Sequence, residues 1–148
     1  MRLAKISRDD FSIWKQFREA LYKSVDDKFN LEEMDNIFNS KDWHCQFIES
    51  EDNKKIGMVE ISYRNIVDGC LSSPVAYLEG IYLQAEYRNQ GIGTQVMLMV
   101  MQWCSERGFS ELATDTGLAN NKAQAFYTSL GFEETDRVVE YRIDINHD

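Results

Sequence analysis

Three features of the sequence hold groups that can do chemistry. Glu79 stands in the middle of the apolar run A-Y-L-E-G-I-Y-L (76–83), Asp115 closes the shorter run S-E-L-A-T-D (110–115), and Y-R-N-Q-G-I-G-T-Q-V (87–96) sets two glycines one residue apart. A carboxylate inside an apolar strand is costly to desolvate unless something compensates it. A local donor in a packed interior would do so, and so would a cationic amine held in a cleft. The glycine pair falls where a strand ends and a helix begins. Several backbone N–H groups lack partners at such a point and face the same way, which favours an anion, most often a phosphate. Gly91 and Gly93 carry no side chain to keep an anion away, Arg88 adds a charged donor, and Gln90 and Thr94 offer polar contacts. The spelling is neither a P-loop, which needs G-K-[ST], nor the Rossmann fingerprint, whose third glycine is replaced by Val96. An ordinary tight turn has the same spacing.

Other chemistries find less support. Cys45, Cys70 and Cys104 are an odd number at wide spacing, with no C-x-x-C and no histidine cluster, so neither a disulfide framework nor a metal site is expected. Cys70 in a loop and Cys104 on a helix have no histidine partner, which sets a cysteine nucleophile aside. His44 and His147 stand alone and read as structural residues. A formal net charge of −9 opposes general nucleic-acid binding, which needs clustered Lys and Arg, and suits a cationic partner better. The acids gather at Asp26, Asp27, Glu32, Glu33 and Asp35, and again at Glu133, Glu134 and Asp136, although a solvated surface accounts for such clusters equally.

The elements that must position these residues follow from periodicity. R-L-A-K-I-S alternates like a strand, and Ser7 with Asp9 and Asp10 behind it starts a helix whose stripe is Ile13, Trp14, Phe17, Ala20 and Leu21. A second, more acidic helical segment runs from Ser24 to Ser40 with Phe29, Met34, Ile37 and Phe38. Residues 44–50 and 56–64 read as a hairpin, 76–83 as a third strand. An amphipathic helix follows the glycine turn with Ile92, Val96, Met99, Val100 and Trp103 on one face, closed by Gly108. Then come a short strand (110–115), a helix (119–130) ended by Gly131, and a final strand region through residue 145. This is a mixed α/β order with an antiparallel front half and a βαβ crossover behind. No repeat or linker interrupts it, and 148 residues with 43% hydrophobic content are about one domain, so residues 1–148 are expected to fold as a single unit. The start, M-R-L-A-K-I-S-R-D-D, lacks the apolar core of a signal peptide and no apolar run is long enough to span a bilayer, so a cytoplasmic protein without membrane attachment is expected.

Two motifs carry a resemblance. Arg88-x-x-Gly91-x-Gly93, opening a helix after an apolar strand, resembles the acetyl-CoA pyrophosphate signature of the GNAT acetyltransferases. Some thirty residues on, N-N-K-A-Q-A-F-Y-T-S-L-G-F resembles that superfamily's second signature, with Asn120, Ala123, Tyr127, Gly131 and Phe132 in the matching places. Within the superfamily, G-C-L-S-S-P-V-A-Y-L-E-G-I-Y-L, A-T-D-T and L-G-F-E-E-T-D-R-V-V-E-Y-R are similar to the aminoglycoside 6′-N-acetyltransferases of the chromosomal Gram-negative type.

The resemblance implies a GNAT fold, a central mixed sheet flanked by helices in which two parallel strands splay apart. It implies direct transfer of an acetyl group from acetyl-CoA to the 6′-amine of an aminoglycoside in a ternary complex, with no metal, by a homodimer. The turn Arg88–Asn89–Gln90–Gly91–Ile92–Gly93–Thr94 would hold the pyrophosphate, Ile81, Tyr82 and Leu83 would pair their backbone with the pantetheine, and Asn120 would contact the coenzyme. Tyr127 would be the general acid that protonates the thiolate, although Ala123, Phe126, Tyr127 and Leu130 also form an apolar stripe in which a tyrosine is simply core. Glu79 and Asp115 would flank the acceptor amine, either of them serving as base through water or by relaying the proton outward as attack proceeds. Tyr22 and Asp136 are further substrate-side candidates, with core packing and surface exposure as their plain alternatives. An N-acetyltransferase for a polyamine or a protein N-terminus, and a non-catalytic acetyl-CoA-binding module, are the rival functions.

Overall fold

Patterned segments become elements in nearly the expected places. The computed structural model describes residues 1–23 and 26–146. Strand β1 is Arg2–Lys5, and a single 3₁₀ turn, Arg8–Asp10, leads into helix α1, Phe11–Leu21. Ser7 precedes that turn in extended conformation, its hydroxyl donating to Asp10 Oδ2 at 2.9 Å. Helix α2, Asp27–Asn39, starts at Asp26, whose side chain accepts from the Phe29 amide at 3.1 Å. That bond satisfies one of the donors that a helix start leaves unpaired. Met34 and Ile37 of α2 are buried, whereas Phe29 is exposed, because the helix presents only one narrow stripe inward.

Strands β2 (Trp43–Glu49), β3 (Lys55–Arg64) and β4 (Val75–Leu83) form an antiparallel meander with β1, and β5 (Leu112–Thr114) joins β4 in parallel, giving the order β1-β2-β3-β4-β5. The parallel step requires a crossover, supplied by a 3₁₀ turn (Ala85–Tyr87) and helix α3, Ile92–Glu106. Val96, Met97, Val100, Trp103 and Cys104 are its buried residues. Phe47 and Met58 of the sheet meet Trp14, Phe17, Met34 and Ile37 of the first two helices in one core.

The chain divides into two compact units, Met1–Asp115 and Thr116–Asp148. The second holds helix α4, Asn121–Ser129, after which Gly131 takes φ +97°. One expectation is corrected there. Residues 132–145 are expected as a final strand region, with Val139, Tyr141, Ile143 and Ile145 alternating, yet none of them has a strand assignment. Val138, Val139, Tyr141, Ile143 and Ile145 stand 65–91% exposed. Alternation suits a chain to be a strand, but a strand exists only when an edge pairs with it and a face covers its apolar side.

Candidate active site

Glu79 is set apart by a fault in sheet register. The β3–β4 ladder pairs Glu60 with Gly80 and then Ile61 with Leu78, so Glu79 is the residue left over, a β-bulge. A bulge bends its strand and re-aims the side chain it carries. The Glu79 carboxylate meets two donors from the neighbouring strand. Its Oε2 accepts from the Ser62 hydroxyl and from Arg64 Nε and Nη2 at 3.1 and 2.8 Å, and its Oε1 accepts from Arg64 Nη2 at 2.9 Å. It is therefore compensated locally, and it also lines a cavity with its side chain 18% exposed.

Asp115 follows from the way β5 ends. Parallel pairing runs Ala76↔Leu112, Tyr77↔Ala113 and Leu78↔Thr114 and then stops, so Glu79 and Asp115 are the first residues beyond the last pair. The Thr114 hydroxyl donates to the Leu78 carbonyl at 2.9 Å, fastening that final step. Asp115 is exposed and accepts a hydrogen bond from the Tyr77 hydroxyl at 2.5 Å. Burial, with the carboxylate beside it, raises the Tyr77 phenol well above its ordinary pKa.

The cavity, about 550 Å³, lies between the first two helices and the sheet. Glu33, Glu60, Glu79, Arg18, Tyr22 and Trp43 are among its walls. Glu60 repeats the signal that singled out Glu79, an acid in an apolar strand, and sequence reading passed over it. Its fate differs. Both of its oxygens are taken, by Trp14 Nε1 at 2.8 Å, Arg18 Nη1 at 2.6 and 2.7 Å, and the Tyr22 hydroxyl at 2.9 Å, and its side chain is 1% exposed. Arg18 also bonds Asn30 and Glu33. Both acids line the cavity, but Glu60 is fully buried and satisfied by its neighbours while Glu79 is partly exposed. Tyr22 packs under the Arg18 guanidinium at 4.9 Å and lines the same cavity. Burial against Glu60 raises its phenol pKa strongly.

The glycine turn is built for its conformation more than for space. Gly91 is left-handed at φ +80° with nothing within 4 Å of where a Cβ would stand, and Asn89 is left-handed at φ +61°. Gln90 donates to the Glu86 carbonyl at 2.7 Å, closing the turn. Ile92, Gly93 and Thr94 form the first turn of α3, whose amides have no acceptor inside the helix. Arg88 Nε donates to the Leu83 carbonyl at 2.7 Å, tying the turn to the end of β4. Ile81, Tyr82 and Leu83 pair with Val59, Met58 and Gly57 on one side only, since the β5 ladder has already ended. An extended acyl arm with amide groups fits such an edge, and a diphosphate fits the amides beyond it.

The second unit carries the remaining candidates. The Asn120 oxygen accepts from the Ala123 amide at 3.1 Å, so this side chain is the N-cap of α4. Tyr127 is half-buried, its ring 5.5 Å from Phe126 and 5.4 Å from Phe132. Asp136 is exposed and accepts from the Arg137 amide at 2.8 Å. His147 lies outside the described residues. His44 stacks on Trp103 at 4.5 Å, and burial lowers its pKa to about 4. Among the described residues no three His, Cys, Asp or Glu side chains gather to hold a metal ion. The three cysteines are free, and burial raises the Cys104 thiol to about 11 and the Cys45 thiol well above its ordinary value, the reverse of what a nucleophile needs.

Comparison with known proteins places the whole fold in a family. The model described as "Acetyltransferase (GNAT) family" matches residues 10–132. An aminoglycoside N(6′)-acetyltransferase type 1 of Serratia marcescens is 38% identical over 90% of this chain and 92% of its own. Another, from Salmonella typhimurium, is 34% identical over 96% of this chain and 98% of its own. Among solved structures, AAC(6′)-Iy in complex with the bisubstrate analogue CoA-S-monomethyl-acetylneamine superposes with a TM-score of 0.85 at 30% identity, covering 97% of both chains.

Proposed function

Because the chain belongs to the acetyltransferase (GNAT) family, we propose that it transfers the acetyl group of acetyl-CoA to the 6′-amine of an aminoglycoside. The observation that carries this reading is the pair of carboxylates, Glu79 and Asp115, set at the point where β4 and β5 part. A polycationic sugar needs acids around the amine that reacts, and the cavity beside Glu79 adds Glu33 to its walls. Acetyl-CoA, as the second substrate, supplies an activated thioester.

The residues divide the work by position. The free edge of Ile81–Leu83 would take the pantetheine, and the turn from Arg88 to Thr94 would take the diphosphate at the start of α3. Asn120 would add a donor through its amide nitrogen, its oxygen being committed to the helix cap. On the acceptor side Glu79 and Asp115 bind the ammonium group and draw its proton away as the amine attacks, with Tyr22 and Asp136 as further contacts to the sugar. Tyr127 would return a proton to the departing thiolate. Holding both substrates so that nitrogen meets carbonyl carbon supplies the larger part of the acceleration.

We further read the whole of 1–148 as one catalytic domain working as a homodimer in the cytoplasm, where acetyl-CoA is made and used. The family match across both compact units supports the first point. The exposed apolar row Val139, Tyr141, Ile143 and Ile145 supports the second, since a second copy would cover it. The free cysteines and the lack, among the described residues, of any helix long and apolar enough to cross a membrane accord with the third. Side-by-side turnover of kanamycin and spermidine tests the substrate class. Preference for kanamycin is expected, and turnover of spermidine alone would transfer the reading to polyamines.

A further inference from the structure

Arg64, the last residue of β3, has no part in the chemistry above, yet it touches both sides of the site. Its guanidinium grips Glu79 through Nε at 3.1 Å and Nη2 at 2.8 and 2.9 Å. It also lies 3.5 Å from the centre of the Tyr77 ring, and Tyr77 donates to Asp115 at 2.5 Å. One cation therefore stands against Glu79 directly and against Asp115 through a phenol. A planar fork on a carboxylate fixes its orientation as a lysine would not.

The chemical consequence concerns the proton of the acceptor. An ammonium group has no lone pair to attack with, and a lone carboxylate stabilises it and raises its pKa. A carboxylate already paired with a guanidinium does so less, because the ammonium then meets the field of an ion pair. The other charged groups facing this place do not replace that effect. Glu33 and Glu60, from the second helix and the third strand, share the single cation Arg18, and the Tyr22 hydroxyl serves Glu60. Asp115 adds a further negative charge beyond the end of β5. Resting on the acceptor assignment made above, we propose that Arg64 is a positioning residue that holds Glu79 and offsets its charge, so that a bound acceptor amine releases its proton near neutral pH.

The test compares wild type, Arg64→Gln and Arg64→Lys with saturating acetyl-CoA and kanamycin. Single-turnover rates and KM are measured from pH 6 to 9.5, and melting curves confirm folding. The acid limb of the rate at saturation reports groups in the enzyme–substrate complex. In Arg64→Gln that limb moves upward by about one pH unit, the rate at pH 7 falls about tenfold and returns at high pH, and KM for kanamycin falls. Arg64→Lys, which keeps the charge, retains the wild-type limb, and serves alone if Arg64→Gln does not fold. An unmoved limb in Arg64→Gln, a moved limb in Arg64→Lys, or a rate lowered equally at every pH with a raised KM overturns the proposal. A wild-type enzyme inactive on kanamycin would overturn the acceptor assignment itself, and this proposal with it.

Discussion

Leu78 and Thr114 are the last residues that strands β4 and β5 hold in parallel register, and a carboxylate follows each of them. The same two steps of chain therefore end a ladder and begin the proposed site. Glu79 is turned out of β4 by the bulge opposite Glu60 and Ile61, and Asp115 leaves β5 tied to Tyr77. Opening the sheet at that point frees one edge of Ile81–Leu83 and places acids beside it.

Glu79→Gln and Asp115→Asn are expected to lower kcat/KM for an aminoglycoside about a hundredfold or more each, with melting temperatures close to wild type. Asp115 is exposed and Glu79 faces a cavity, so in the proposed role their charge serves binding and proton transfer more than stability. Wild-type rates in either variant would remove that residue from the site.

Arg18→Met should behave in the opposite way. Arg18 and Glu60 are both 1% exposed and bonded at 2.6 Å, so removing the cation leaves an uncompensated buried acid. The expected loss is about 3–5 kcal/mol of stability by urea unfolding. A loss below about 1 kcal/mol would mean that Trp14 and Tyr22 alone satisfy Glu60.

The Glu79 and Arg18 variants also mark what the sequence could tell. The helices around Trp14 and Val96, the hairpin and the βαβ crossover were readable because periodicity is a local property. Glu60 and Glu79 look alike in sequence, and only their partners separate them: Arg18 lies on another element, and the bulge exists only as a relation between two strands. Arg64 was invisible for the same reason, since it reaches Glu79 across a hairpin. The stretch 132–145 misled in the other direction, since the alternation of Val139, Tyr141, Ile143 and Ile145 is that of a strand and no strand is assigned there.

Gly91→Ala should cost about 1–2 kcal/mol of stability, because its φ of +80° strains any residue with a Cβ although the space beside it is open. The turn carries the diphosphate in the present account, so KM for acetyl-CoA should rise while KM for the amine stays near wild type. An unchanged KM for acetyl-CoA would place the diphosphate elsewhere.

His44 gives a pH dependence with a definite sign. Its folded pKa of about 4 lies below the ordinary 6.5, so the unfolded chain takes up its proton first as pH falls. Its contribution to stability is complete above about pH 6.5 and is lost progressively toward pH 4. The decline in melting temperature across that window should be shallower in His44→Gln than in wild type. Parallel curves would show that His44 does not titrate with unfolding.

The central claim is tested most directly by release of coenzyme A thiol when purified protein meets acetyl-CoA and tobramycin, with and without a block on the 6′-amine. The account predicts release that disappears when that amine is blocked. Release that persists with the blocked compound would contradict the assigned position, and no release with tobramycin alongside release with another amine would contradict the substrate class.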